Sequence, residues 1–472
     1  MQLFVKDKAF YKKVLAIAVP VTLQGLINMG VNIADVIMLG HLNQDALSAS
    51  SLANQFCFIF MILNFGLGGG AGVLTGQFWG MGDRESIKKT LSIVYKVSIV
   101  FALLFFAATQ LFPESIMRLY TNEDSLITQG ASYLRIVSWA FVLQGISTTS
   151  FIVLRTVGVV KLTLVTSLVA LVSNTFMNWM LIFGNLGAPQ MGVAGAALAT
   201  AISRVFEFII IVVFVLFIDK KIQFKLRNIF GFDGQILKRF FQSGLPVVIS
   251  DLVLALGLNV LTAIMGRIGG DFVAANAIAN SVWQFISVFL MGTSAASTVI
   301  IGNTIGAGKY EDAKKYGVTF LMLAVIIGVV TGCAIYLLRD VAVAVFGGTL
   351  TPAARLINQQ LMGALAILAV FSSVQMMLTK GVLRAGGDTR FLMLADVLFL
   401  WAVSVPLGYT AGLVLRLIPF GVFLCLKIDE IIKAVWCSTR LFSGKWIRNV
   451  TIPTGHEQAP QAALVDAAEG AE

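Results

Sequence analysis

The feature that most limits what this chain can fold into is a series of long segments with almost no charge. Residues 14–39 contain one charged side chain, Asp35, and residues 286–308 contain none. Runs of this length are typical of helices that cross a bilayer, because about 20 helical residues span the hydrocarbon. The ten-residue alternation of a membrane β-barrel is absent from the sequence. An all-α polytopic membrane protein is therefore predicted.

Composition supports this fold class and excludes others. Only 12% of the residues are charged, whereas a soluble domain carries about 25%. The net charge of +10 comes from basic residues at helix ends and not from a separate basic domain, so a nucleic-acid partner is not expected. Four cysteines and two histidines lie at spacings that suggest neither disulfides nor a metal site.

Apolar runs divided by charged or Gly/Pro breaks predict about twelve spans. Alternate connections between them are basic, which places both termini in the cytoplasm by the positive-inside rule. The predicted cores are 14–40, 51–79, 90–112, 131–154, 162–184, 191–218, 241–266, 273–305, 315–338, 357–383, 391–415 and 418–442.

The chain also contains an internal repeat. A shift of 226 residues carries Pro20 onto Pro246 and keeps its register, without a gap, past the second run. Six spans per copy return the chain to the same side, so both copies should share one orientation, related by a pseudo-twofold axis along the membrane normal. The repeat predicts a first lobe of residues 1–220, a linker of 221–240, a second lobe of 241–448 and a disordered tail of 449–472. Matching pairs include Gly40 and Gly266, Asp45 and Asp271, Gly66 and Gly292, Gly80 and Gly306, and Lys89 and Lys315.

Asp35 is the main candidate for a functional residue. A carboxylate at membrane depth costs about 2.5–3.5 kcal/mol to insert. Gln24, Asn28 and Asn32 precede it at spacings that place all four side chains on one side of a helix. Such a stripe must face protein or water. We expect it to line a substrate cavity between the lobes.

The fifth predicted span offers partners for Asp35. Asn174 and Asn178 share a helix face there, and Thr200 in the sixth span could add a hydroxyl. Carboxylate, amide and hydroxyl oxygens would suit a proton or a hard cation such as Na⁺. The alternative is a hydrogen-bond network that only packs the helices together.

Further polar residues are predicted to line the cavity in the second lobe. Asp251 lies five residues after Pro246; alternatively, it is a hydrated carboxylate near the cytoplasmic end. The eighth span carries amides on one face, which we expect to avoid lipid because a bare amide is costly to place in hydrocarbon. The predicted cavity residues of this lobe are Asp251, Asn276, Asn280, Gln284 and Gln375.

With these motifs in place, the sequence resembles the multidrug and toxin extrusion (MATE) family over nearly its whole length. The resemblance rests on Pro20 and Asp35, on GQFWGMGD and GNTIGAGK, on VLRTVG and VLRAGGDTR, on GVAGAALAT, and on IDE and SGKW near the end. It implies two six-helix lobes in a V, and export of cationic or amphipathic compounds in exchange for H⁺ or Na⁺. It also implies a coupling site at Asp35, Asn174 and Asn178. One departure is that the tenth helix has Ser372 and Ser373 but no carboxylate.

Two other functions are less well supported. A lipid-linked oligosaccharide flippase should line its cavity with several Arg or Lys for pyrophosphate, and these predicted helices have few. A membrane enzyme should show paired catalytic groups, and no HExxH, GxSxG or phosphate-binding loop occurs. We therefore expect a monomeric, non-enzymatic transporter without a cofactor, in contact with membrane lipids in the plasma membrane (a bacterial inner membrane).

Overall fold

The structure, a computed structural model, describes residues 5–346 and 351–451, and within these ranges every regular element is helical. The first half contains α1 (Lys8–Leu42), α2 (Gln44–Met81), α3 (Arg84–Leu111), α4 (Pro113–Arg118), α5 (Asp124–Val137), α6 (Phe141–Thr156), α7 (Lys161–Phe183) and α8 (Val193–Val213). The second half contains α9 (Gly234–Ile268), α10 (Gly270–Gly306), α11 (Tyr310–Phe346), α12 (Pro352–Met376), α13 (Leu383–Ala385), α14 (Thr389–Phe399), α15 (Val405–Tyr409), α16 (Pro419–Leu426) and α17 (Ile428–Phe442).

Eleven segments in the described part of the chain are long and apolar enough to cross a membrane. Each overlaps one of the predicted spans. Large apolar side chains such as Leu104, Val330 and Leu394 are more than half exposed, as expected for surfaces that face lipid. The fold is that of an all-α polytopic membrane protein. We call the side on which α1 begins and α17 ends the terminal side, and the opposite side the far side.

The twelfth predicted span, 418–442, is not one continuous helix. The chain breaks at Lys427 into α16 and α17, which have 8 and 15 residues. Charged residues follow the break, and Asp429, Glu430 and Lys433 have partners on other elements of the second half. The predicted segment 418–442 is thus divided between two helices.

Two predicted boundaries also differ from the structure. The linker was expected to reach residue 240, but α9 begins at Gly234, because the Asp233 side chain accepts hydrogen bonds from the backbone N–H groups of Gln235 (3.0 Å) and Ile236 (3.1 Å). The tail was expected to be disordered from 449, yet residues 449–451 make defined hydrogen bonds. Residues 452–472 lie outside the described residues.

The two halves contact one another through two pairs of helices that are equivalent in the repeat. Gly66 on α2 lies against Val248 on α9, and the repeat-equivalent Gly292 on α10 lies against Thr22 on α1. The absence of a Cβ allows this close approach in both places. Since equivalent residues make equivalent contacts and α2 and α10 both end on the terminal side, the halves have the same orientation.

These contacts lie on the terminal side of the molecule. Gly76 and Gly302 meet at the centre of the interface, where a Cβ on Gly76 would lie 3.7 Å from the Gly302 Cα. Nearer the far side, Gly25 of α1 lies against Val288 of α10. Beyond that level these helices carry exposed polar residues. The halves therefore close against each other on the terminal side and leave a cleft towards the far side.

Candidate functional site

Asp35 lies at one end of a chain of hydrogen bonds that joins three helices. Asn178 on α7 donates from its Nδ2 to the Asp35 carboxylate and to Asn174 Oδ1, the latter at 3.1 Å. The Asn174 Nδ2 in turn lies 3.4 Å from Thr200 Oγ1 on α8. The structure thus brings together all four residues that the sequence placed in the coupling site.

The helices fix this geometry in a simple way. Asn174 and Asn178 are one turn apart on α7, so both amides face the same neighbour. That neighbour is α1, whose Gly30 lies against Leu171 of α7. Both amides are buried, whereas Asp35 is half-buried. The carboxylate therefore lies between the lobe interior and the cleft.

Two features leave the site able to accept a further ligand. Asn178 Oδ1 is buried and has no hydrogen-bond partner in the structure. Among the described residues, no lysine, arginine or histidine nitrogen forms an ion pair with Asp35. An unpaired carboxylate beside a free amide oxygen can hold a proton or offer oxygen ligands to a small cation.

The first half contains another carboxylate, a buried one, that was not predicted from the sequence. Glu207 on α8 is only 5% exposed and pairs with Arg204 at 2.6 Å. The i,i+3 spacing of the two residues was the signal that could have identified the pair. Because Glu207 already has a cationic partner, it is less suited than Asp35 to bind and release a cation.

The predicted polar stripe of α1 lines the cleft. Asn28 and Asn32 are exposed, and Gln24 is half-buried. They follow the level at which Gly25 contacts Val288, on the part of α1 that extends towards the far side. Their amides are therefore accessible from the cleft that also reaches Asp35.

The facing helix, α10, continues the same surface. Gln284 and Asn280 lie one and two turns before Val288, on the face that contacts α1, and both are exposed. Asn276, another turn along, is buried, and its Oδ1 has no partner. In α12, the half-buried Gln375 donates to Thr379 Oγ1 at 3.2 Å, so its amide is engaged within its own helix.

Asp251 has ion-pair partners that were not predicted from the sequence. Its carboxylate accepts hydrogen bonds from Lys380 and, at 3.4 Å, from Arg384. It is neither a freely hydrated carboxylate nor an unpaired one. The position of Asp251, five residues after Pro246, predicted roughly how deep it lies in the membrane. Its partners lie 129 and 133 residues away along the chain, so no local sequence pattern indicated them.

A larger network of charges is buried in the second half. Lys433 on α17 pairs with Asp429 at 2.8 Å and with Asp396 on α14 at 3.4 Å. Ser250 on α9 donates to Asp396 at 2.6 Å, and Ser404 donates to Asp429 at 2.8 Å. Lys433, Asp429 and Asp396 are all at least 95% buried.

The same network reaches the tenth span, where the sequence lacks a carboxylate. Ser372 on α12 donates to Glu430 of α17, which also pairs with Lys427 at 3.2 Å. The acidic groups of this network thus come from α14 and α17. Each has a lysine partner, whereas Asp35 has none among the described residues.

Comparison with known proteins identifies the family. The sequence model of the MatE family matches residues 20–180 and 246–410, so the two matches begin at the equivalent prolines of the repeat. The chain is 24% identical to the uncharacterized transporter YisQ of Bacillus subtilis, covering 94% of this chain and 96% of that protein. It is 27% identical to NorM of Mesorhizobium japonicum, a probable multidrug resistance protein, covering 92% and 93%.

Solved structures have the same fold. An outward-facing multidrug resistance MATE transporter matches with a TM-score of 0.84 at 19% identity, over 92% of this chain and 96% of that one. A transporter of the MOP superfamily from Pyrococcus furiosus, described as having a binding pocket of reverse polarity, matches with a TM-score of 0.83 at 19% identity, over the same shares. About twelve helices in two lobes, one family model over most of the sequence, and relatives that are transporters and not enzymes lead to one conclusion. The chain belongs to the MatE family of multi-pass membrane transporters.

Proposed function

We propose that this transporter is a secondary antiporter, which exports cationic or amphipathic small molecules in exchange for H⁺ or Na⁺ by alternating access. The observation that carries the proposal is the state of Asp35. Its side chain accepts a hydrogen bond from the amide of Asn178, and it lies beside the cleft with no cationic partner among the described residues. A single ion can therefore neutralise it, and that ion can leave again.

One helix links the proposed ion site to the movement of the lobes. α1 carries Asp35, the cleft residues Asn28 and Asn32, and Thr22, which contacts Gly292 of the other half. A change of charge at Asp35 alters what α1 packs against, and this shifts the balance between conformations of the two halves. Coupling requires that ion and substrate prefer different conformations, so each should weaken binding of the other.

The surroundings of the cleft support the proposed substrate class. Amides from α1 and α10 offer hydrogen bonds without a fixed charge, and Asp35 adds negative charge for a cation. Phe285 directly follows the cleft residue Gln284 on α10 and is 51% exposed, so an apolar side chain is next to the amides for the apolar part of an amphipathic compound. The proposal includes a monomer in the bacterial inner membrane with the terminal side in the cytoplasm, as the basic connections predict.

The decisive experiment is transport by purified protein in proteoliposomes. A fluorescent cationic dye is followed under an H⁺ gradient and, separately, under a Na⁺ gradient. Asp35→Asn keeps the size and polarity of the side chain but removes its charge, so we expect gradient-driven transport to fall to the level of empty vesicles. The gradient that drives the wild type identifies the coupling ion.

A control separates loss of coupling from loss of charge in general. Asp45→Asn removes an exposed carboxylate at the far-side end of α2 and should transport at the wild-type rate. If Asp35→Asn also transports at that rate under the same gradient, Asp35 is not the coupling residue. Asp251→Asn would then be the next variant to measure.

A further inference from the structure

After α17 the chain reverses direction and is fixed to the second half by a tryptophan. Gly444, with φ of +67°, makes the turn. Trp446 is fully buried, and its Nε1 donates to the Leu441 carbonyl at 3.0 Å. Its ring lies against Gly386 and Gly317, where a Cβ would leave too little room. This end of the segment therefore belongs firmly to the second half.

The residues that follow continue along the terminal side. Arg448 donates its backbone N–H to the Gly386 carbonyl at 2.8 Å, and its guanidinium pairs with Asp388 at 3.1 Å. Asn449 donates to the Tyr310 hydroxyl at 3.3 Å. The backbone of the segment is thus held in a defined position, with its next polar groups directed at the first half.

Gln77 of α2 receives those groups. Its Nε2 donates to the Arg448 carbonyl at 3.0 Å and to the Ala385 carbonyl at 3.2 Å. Its Oε1 accepts the Val450 N–H at 2.9 Å. Gln77 is completely buried, so one side chain of the first half makes three hydrogen bonds to the backbone of the second half without access to water.

The last described residue adds one further contact across the interface. The Thr451 hydroxyl lies 2.8 Å from the sulfur of Met81 on α2, while its carbonyl accepts a hydrogen bond from Arg239 of α9, in its own half, at 2.6 Å. The Val450 side chain packs against an apolar cluster to which both halves contribute, with Phe78 from α2 and Phe240 from α9.

We propose that residues 444–451 act as a clasp, which holds the two halves together on the terminal side and must release Gln77 before the protein can open there. The reason is that the amide of Gln77 and its three backbone partners would all be left buried and unpaired by a small separation of the halves. The clasp therefore raises the barrier to opening on the terminal side. It also raises the free energy of the conformation open on that side relative to the one open on the far side. This inference rests on the alternating access of the proposed function.

The repeat supplies a natural contrast. The residue equivalent to Gln77 is Asn303 on α10, which lies in the same interface. Its Oδ1 is buried and has no hydrogen-bond partner. The first half continues into a linker, and in the described part of the chain no residue of that linker donates to Asn303 Oδ1. Gln77 and Asn303 are therefore equivalent in the repeat, but only Gln77 is hydrogen-bonded to the segment after α17.

Spin labels can measure the opening directly. We would place nitroxides at Glu85 and Glu311, exposed and repeat-equivalent residues on the terminal side, after replacing Cys57, Cys333 and Cys425 with serine. Double electron–electron resonance on the protein in nanodiscs, without substrate or gradient, gives the distance distribution. Gln77→Met keeps the length of the side chain but removes its amide. We expect it to increase the ratio of long to short distances at least tenfold.

The matched control is Asn303→Leu, which removes the equivalent amide and should leave the distribution within twofold of the wild type. A Gln77→Met distribution like that of the wild type would overturn the clasp, and so would an equal opening in both variants, which would indicate general loosening. Retained thermal stability of Gln77→Met shows that the protein is folded. Because these distances are measured without transport, they test the clasp independently of the outcome for Asp35→Asn.

Discussion

At the scale of single residues, the partner of each buried carboxylate distinguishes the proposed ion site from carboxylates that only stabilise the fold. Asp251, Asp396 and Glu207 each lie within 3.4 Å of a lysine or arginine nitrogen. Such a partner already offsets the negative charge of the carboxylate, so a further cation gains less by binding there. Asp35 is held by an amide instead, and an amide can hydrogen-bond a carboxyl group in either protonation state. This difference in partners is what makes Asp35 the best candidate for an ion that must bind and leave.

A first prediction concerns Asn178, which orients the Asp35 carboxylate. Asn178→Leu keeps the approximate shape but removes the hydrogen bond to Asp35 and the free Oδ1. A hydrogen bond to a charged group contributes about 1.5–3 kcal/mol, so the concentration of coupling ion for half-maximal dye transport should change at least tenfold. It should rise if the ion is Na⁺, which loses the Oδ1 ligand, and fall if the ion is H⁺, because the ion-free carboxylate loses its hydrogen-bond donor. The measurement is the dependence of initial transport rate on ion concentration.

The neighbouring Ser173 provides the control for this variant. Its hydroxyl donates to the Ala170 carbonyl of its own helix at 3.2 Å, so Ser173→Ala should leave the ion dependence unchanged. An unchanged ion dependence in Asn178→Leu would show that Asn178 only packs α7 against α1.

The sequence revealed one kind of site residue and hid another. Asp35, Asn174 and Asn178 could be found because an ionisable or amide group in an apolar run is visible in the run itself. The pairing of Asp251 with Lys380 could not be predicted, because it depends on how α9 packs against the end of the tenth span. Local spacing carries no information on such a contact.

At the scale of elements, hydrophobicity predicted where helices occur but not where they break. The eleven spans follow from apolar runs of sufficient length. The break at Lys427 depends on Asp429 and Lys433 finding partners on other helices, which satisfies their charges inside the second half. An apolar run with charges near its middle can therefore form either one helix or two. Which of these occurs depends on whether a neighbouring helix offers partners to the charges.

A second prediction concerns this buried network. Lys433→Met removes the cation that Asp396 and Asp429 share. Leaving a buried charge without its partner costs about 3–5 kcal/mol, so the detergent-solubilised variant should unfold at a markedly lower temperature. Replacing both carboxylates as well, in Lys433→Met with Asp396→Asn and Asp429→Asn, should restore much of the loss.

A surface pair gives the comparison for this loss. Lys88 pairs with Glu85 at 2.6 Å, but Glu85 is largely exposed, and exposed pairs contribute about 0–1 kcal/mol. Lys88→Met should therefore change the unfolding temperature little. Equal effects of Lys88→Met and Lys433→Met would mean that the buried network does not stabilise α17 against α14.

At the scale of the whole molecule, a symmetric framework carries asymmetric functional groups. The glycine contacts of α2 and α10 are repeated in both halves. In contrast, Asp35 has Leu261 as its equivalent, and Asp251 has Gly25. A parallel repeat requires both halves to share their packing, because the interface uses both, but it places no such requirement on the ion site. One half can therefore carry the proposed coupling site while the other is cross-linked by internal ion pairs.

The last prediction follows from this symmetry of packing. A Cβ at Gly80 would overlap the carbonyl oxygen of Asn303, and a Cβ at the equivalent Gly306 would overlap that of Gln77. Overpacking of this kind costs about 1–3 kcal/mol, and here it acts only while the terminal side is closed. Gly80→Ala and Gly306→Ala should therefore each favour the open form. The ratio of long to short distances between labels at Glu85 and Glu311 should rise by about 5- to 150-fold. Alanine also favours helix over glycine, but in both conformations, so Gly266→Ala, whose Cβ would have no neighbour within 4 Å, should leave the distances unchanged. A shift in only one of the two interface variants would mean that the halves do not separate symmetrically about the contact of α2 with α10.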